Sequence, residues 1–154
     1  MSTITLGQAE EIIAAALAEA RRQDFMPLTV AILDPGGCLV ALKREDGSGI
    51  LRPDIAIGKA WAALGMGVPS RLLRDRLADR PAFQAALAAA SDGRFIAVPG
   101  GVLLKDETRR TIGAVGVSGD TSDKDELCAI IGAHAAGVAT DPAEPPADWA
   151  ASKL

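Results

Sequence analysis

The sequence predicts a single α+β domain with antiparallel strands, and three observations lead there. Apolar runs of strand length come in pairs joined by turn sequences, as in Leu28-Thr-Val-Ala-Ile-Leu-Asp34, then Pro35-Gly-Gly37, then Cys38-Leu-Val-Ala-Leu-Lys-Arg44. Proline presets φ and glycine supplies positive φ, so Asp-Pro-Gly-Gly between two such runs signals a hairpin. Apolar residues at helical spacing fill the segments before, between and after the pairs. The resulting order, α-β-β-α-α-β-β-β-α, calls for an antiparallel layer rather than a doubly wound parallel sheet. Domain boundaries are expected at 1–140 for the domain and 141–154 for a proline-containing tail.

Taken in order, Thr5-Leu-Gly-Gln8 reads as a capping box, with a hydroxyl at N-cap and an amide three residues on. Leu6, Ala9, Ile12, Ile13, Ala16, Leu17 and Ala20 then mark one face of the first helix. After the first hairpin, 45–49 is a loop, and Pro53 opens a helix expected to run to Leu64 or Met66. A further helical region spans 70–90, with Pro81 breaking it in two. Phe95-Ile-Ala-Val98 reads as a short strand, and Val102-Leu-Leu-Lys105 pairs with Thr111-Ile-Gly-Ala-Val-Gly-Val117 as a second hairpin. The last helix starts near Ser122, where Asp123, Asp125 and Glu126 suit its positive N-terminal end. Trp149, in the tail, is expected to dock on the body or on a neighbouring copy.

Composition excludes several classes. Nearly half of the 154 residues are hydrophobic and the net charge is −4, which argues against disorder and gives no electrostatic reason for nucleic acid or an anionic membrane as partner. No apolar run is long enough to span a bilayer, and no signal-like segment opens the chain, so a reducing cytoplasm with free Cys38 and Cys128 is the expected setting. The closing Ser152-Lys153-Leu154 spells a peroxisomal address, which three residues also spell by chance.

Gly113, Gly116 and Gly119 fall at G-x-x-G-x-x-G spacing ahead of a helix. The dinucleotide fingerprint needs G-x-G-x-x-G in a parallel βαβ unit, and the acidic flank from Asp120 to Glu126 repels phosphate. Glycines inside a strand instead mark close approach of a backbone or ligand. Lys59 lies on a helix apolar on two sides, among Ile55, Ala62 and Met66; such a lysine snorkels out or meets an anion. In the second case it is a cation in a pocket wall, with Arg44 a second one. If the protein is an enzyme, a desolvated Lys59 is the candidate base or Schiff-base former, assisted by Asp54 or His134. His134 shares a face with Leu127, Ile130 and Val138 and reads as a satisfied core or interface histidine. One histidine and two distant cysteines make no metal site. Gly100-Gly101 leaves backbone N–H groups open to a carboxylate, or is a plain turn.

Together, Leu33-Asp-Pro-Gly-Gly-Cys-Leu-Val-Ala-Leu42, Asp54-Ile-Ala-Ile-Gly-Lys-Ala60, Pro99-Gly-Gly101 and Ile112-Gly-Ala-Val-Gly-Val-Ser-Gly119 with Asp125-Glu126 resemble the GlcG/HbpS-like haem-binding family, which also supplies the C-terminal domain of PduO-type proteins. The resemblance spans about residues 5–138 and implies a five-stranded antiparallel sheet flanked by helices, profilin-like or PAS-like, assembled as a dimer or higher homo-oligomer. It implies a pocket for haem or another acidic small molecule near the helix carrying Asp54 and Lys59 and the loop at Gly100-Gly101; the residues expected to bind the ligand are Lys59, Arg44, Gly100, Gly101, Phe95 and Cys38. The alternative it leaves open is an enzyme of small organic acid or aromatic-compound catabolism. Where the family often carries histidine after the first Gly-Gly, this chain has Cys38. The remaining candidate haem ligands are Cys38, His134, Met66 and a hydroxyl such as Ser118.

Overall fold

A computed structural model describes residues 2–153; the closing Leu154 of the Ser-Lys-Leu sequence lies outside them. The chain runs α1 (Leu6–Arg22), β1 (Thr29–Leu33), β2 (Leu39–Arg44), α2 (Arg52–Met66), α3 (Ser70–Leu77), α4 (Pro81–Ala90), β3 (Gly101–Lys105), β4 (Thr111–Ser118), α5 (Ser122–Ala135) and β5 (Ala139–Asp141), with a short 3₁₀ turn at Trp149–Ala151. The five strands form one antiparallel sheet in the order β2-β1-β4-β3-β5. The α+β architecture expected from the sequence is the one observed.

Local chemistry explains most boundaries. Thr5 Oγ1 accepts from Gln8 N–H at 3.2 Å while Gln8 Oε1 accepts from Thr5 N–H at 3.1 Å, the reciprocal capping box that starts α1. In the first hairpin Gly37 takes φ +82 and donates to Asp34 O at 2.9 Å, and Asp34 Oδ1 accepts from Gly36 and Cys38 N–H. Pro53 sits in the first turn of α2, and Gly67, left-handed at φ +69, ends it. Pro81 does break the 70–90 region into α3 and α4.

The sheet carries a core on each face. Val30, Ile32, Val102, Leu104, Val115 and Val117 meet Ile12, Ile13 and Ala16 of α1 and Leu127, Cys128 and Ile130 of α5. On the other face Leu33, Leu103 and Ala114 meet Ala60 and Ala63 of α2. A smaller core joins α2 and α3 through Ala62, Leu73, Leu77, Phe95 and Ala97. Trp149 docks on the body, its ring edge-on to Phe25 at 5.8 Å between centroids.

Two expectations need correction. Residues 95–98 form no strand; Ile96 N–H donates to Gly58 O of α2 at 3.3 Å, so this extended run leans on a helix and never enters the ladder. The fifth strand is instead Ala139–Asp141, paired with β3 by Leu104↔Thr140 and reaching into the segment expected to be tail. Its physical anchor is Thr140, buried beneath the end of α5.

Candidate functional site

Helix α2 sits so close to the sheet that only glycine fits beneath it. A Cβ at Gly116 would stand 1.9 Å from Ala56 O, and one at Gly101 would stand 2.1 Å from Lys59 O. Of the strand glycines expected to mark close approach, Gly116 marks that of this helix, whereas a Cβ at Gly113 would stand 2.5 Å from Leu33 O of β1. Gly101 N–H is engaged as well, donating to Ser70 Oγ at 2.7 Å. The Gly100-Gly101 step is therefore a seat for α2 and α3 more than an open pair of donors.

Lys59, carried by α2 onto that seat, is 2% exposed. Its Nζ donates to Val117 O at 2.9 Å and to Asp125 Oδ2 at 3.0 Å, and Asp125 Oδ1 accepts from Asp120 N–H at 3.0 Å. Of the two fates open to a lysine among apolar neighbours, it meets an anion, and that anion belongs to the chain itself. Burial pulls the Lys59 pKa down and pushes that of Asp125 up, each opposed by the other's charge. Beside this pair, Arg71 of α3 reaches Glu126 Oε1 at 2.8 Å and also bonds Asp123. Burial raises the Glu126 pKa, and its Oε2 has no partner among the described residues.

The other expected residues are dispersed. Asp54 lies exposed in the first turn of α2, five residues from Lys59 and so about 140° around the helix from it. Arg44 donates to Ser48 O at 2.7 Å and borders a separate groove of 560 Å³ with Arg21, Lys43, Glu45 and Asp46, which Lys59 does not line. Ser118 is buried and its Oγ accepts from Arg52 at 3.1 Å. Of the two places expected for His134, the core is corrected: it is exposed in the last turn of α5, and its ring is satisfied there by Nε2 bonding Thr140 Oγ1 at 2.9 Å. Cys38 is exposed, whereas Cys128 is buried and its thiol pKa is pushed far up by desolvation. No cluster of three or more metal-ligating side chains occurs among the described residues.

What the structure assembles is a groove centred on Trp61. Gly65, Met66, Leu87, Ala90, Ser91 and Phe95 line it with Trp61, over 190 Å³. Trp61 and Gly65 also line a second pocket of 120 Å³, with Pro35, Gly36, Gly37 and Leu64. Phe95 is nearly buried, Met66 is 42% exposed, and the Arg94 guanidinium stands 4.7 Å from the Trp61 ring centroid. Nothing in the sequence pattern marked Arg94, a surface residue in a turn.

A single antiparallel sheet with paired helices on one face and a close-packed helix bearing a groove on the other defines an α+β protein. The chain belongs to the family described as haem degrading protein HbpS-like, whose model matches residues 4–134. It is 30% identical over 129 residues to an uncharacterised 15.0 kDa protein from the dhaT-dhaS intergenic region of Citrobacter freundii, covering 84% of this chain and 89% of that one. Among solved structures, Klebsiella pneumoniae ORFY is 28% identical with a TM-score of 0.80 (89% of this chain, 92% of that one). A double mutant of Streptomyces reticuli HbpS is 27% identical at 0.74 (87% of each chain). A PduOC complex with heme shares the fold at 0.80 with 24% identity, over 90% of this chain and 99% of that one. No described helix is long and apolar enough to cross a membrane.

Proposed function

We propose that this protein binds haem or a related acidic small molecule in the groove beside Trp61. The observation that carries the reading is the groove's chemistry: Trp61, Leu87 and Phe95 leave an apolar, aromatic wall open beside α4, with a thioether and a guanidinium at its edge. The family match and the heme named for the PduOC complex support it. Lys59 and Gly101, by contrast, are engaged inside the fold.

The residues fit one edge of a porphyrin. Met66 presents an accessible thioether, a soft ligand suited to iron; Leu87 and Phe95 offer apolar contact; Arg94 offers a counter-charge to a propionate. The 190 Å³ available falls below the roughly 300–1,000 Å³ of sites that enclose a drug-sized ligand, so much of a macrocycle would stand outside it. Bound haem would supply the redox and ligand chemistry of its iron, while the chain holds its edge and excludes water from the buried part.

Assembly belongs to the same reading. Helix α4, PAFQAALAAA, buries none of its residues although nine of its ten side chains lack a polar group. A helix apolar all round is normally covered, and a homo-oligomer would cover it. Light scattering coupled to size exclusion tests this, with a monomer refuting it.

Titration with hemin tests the binding. The expected result is a stoichiometric Soret shift that changes in position in Met66→Leu and weakens in Phe95→Ala. No spectral change at equimolar hemin overturns the haem reading.

A further inference from the structure

Helix α4 ends in a turn that delivers one side chain to the groove. Asp92 and Gly93 both take left-handed backbone, at φ +55 and +80, and Phe95 N–H donates to Ser91 Oγ at 3.0 Å. The chain then lies flat on α2 because Gly58 has no side chain; a Cβ there would stand 2.8 Å from Arg94 O and 2.7 Å from Ile96 Cδ1. One turn further along α2 stands Trp61, and the Arg94 guanidinium rests over its ring.

Arg94 is restrained without being neutralised. Its Nε donates to Ser91 O at 3.0 Å, and neither terminal amino group has an acceptor among the described residues. No described carboxylate comes within ion-pair distance of it; Asp92, close in sequence, is exposed and forms no such pair. The aromatic face below and the turn behind hold a planar fork of donors over Trp61, the residue that also lines the apolar groove. A carboxylate matches that fork in a bidentate manner, and a flat conjugated body matches the groove.

Resting on the groove reading above, we infer that Arg94 and Trp61 form a subsite for a carboxylate borne on a planar conjugated ring. The guanidinium takes the carboxylate, and the ring lies in the groove against Trp61 and Phe95. A groove of 190 Å³ admits a single ring or one edge of a larger macrocycle. The same chemistry thus comes from a free aryl carboxylate or from the propionate edge of a porphyrin.

The test uses the full chain with Trp149→Phe, so that Trp61 is the only tryptophan. Benzoate binding is followed by Trp61 emission and hemin binding by the Soret band, each with Arg94, Arg94→Gln and Arg94→Lys. Arg74→Gln, which alters an exposed arginine paired with Asp75, serves as control. Arg94→Gln is expected to weaken binding about 10- to 100-fold, the range for loss of one charged hydrogen bond, with Arg94→Lys between. Weakening of benzoate alone assigns the subsite to free aryl acids, weakening of hemin alone assigns it to the porphyrin propionate, and weakening of both assigns it to either source. Unchanged binding of both ligands in Arg94→Gln overturns the subsite, as does failure of both to bind. Hemin bound normally in Arg94→Gln with no benzoate binding at all overturns the subsite and leaves the haem reading standing.

Discussion

Replacing Lys59 with methionine keeps the length and apolar stem of the side chain but removes the charge that faces Asp125. The two side chains are 3% and 1% exposed, so solvent offers the carboxylate almost nothing in return. Breaking a buried pair from one side costs about 3–5 kcal/mol, because the partner's charge is left uncompensated. For a chain of this size each kcal/mol moves the thermal midpoint by roughly 2–4 °C, which puts Lys59→Met at about 6–20 °C below the parent. The loss has a pH signature. Burial already raises the Asp125 pKa above its unfolded value, and removing Lys59 raises it further. A carboxyl with a raised folded pKa binds its proton more tightly when folded. Its destabilising effect is therefore absent below the unfolded pKa of about 3.9, grows as pH rises through the window up to the folded pKa, and is full above it. Urea melts of parent and variant at pH 7 and pH 5 should thus show the gap narrowing at the lower pH. Adding Asp125→Asn, which keeps an acceptor for Asp120 N–H, should restore most of the loss. A Lys59→Met variant within 1 kcal/mol of the parent at pH 7, or a gap that widens on acidification, would refute the reasoning.

Other outcomes follow from the same geometry. Gly116→Ala drives a methyl to 1.9 Å from Ala56 O and should cost at least 3 kcal/mol by the scale of severe overpacking, while Gly65→Ala meets only Trp61 carbons at 3.7 Å and should stay within about 1 kcal/mol of the parent; paired urea melts read both. Thr5→Ala removes the α1 cap and should cost about 0.5–2 kcal/mol, seen as a lower denaturation midpoint with an unchanged slope. A thiol-exchange reagent should label Cys38 within the mixing time and leave Cys128 unlabelled until denaturant is added, since the first is exposed and the second is buried with a raised pKa; equal rates in the native protein would contradict this placement.

Sequence chemistry carried the strong local signals. The Thr5/Gln8 cap, the Asp34-Pro-Gly-Gly turn, Pro53 and Pro81 each act through their own backbone or a neighbour's, so they are readable one segment at a time. Gly116 announced that something lies close above β4, but that it was α2 required the fold. Residues 95–98 misled because Phe95 and Ala97 alternate inward as a strand would, while their partner surface is a helix. Strand β5 is three residues long, too short to leave a periodic trace, and is held by Thr140 and the β3 edge. Lys59 was legible as a lysine among apolar neighbours, bound either to snorkel out or to meet an anion, but its counter-ion was not, since Asp125 is 66 positions away and reads equally well as a favourable first-turn residue of α5. Arg94 was invisible for a related reason: its place on Trp61 depends on the turn at Asp92 and Gly93 and on the missing Cβ of Gly58, three features that mean nothing apart.

The central claim is that ligand chemistry sits at the Trp61 groove and that Lys59 holds the fold together. The most direct measurement is the anomalous iron signal in a crystal of the hemin-treated protein. The account predicts an iron peak beside the Met66 sulfur with a propionate toward Arg94. An iron peak at Gly100-Gly101 and Lys59, or at Cys38 or His134 away from the groove, would contradict it.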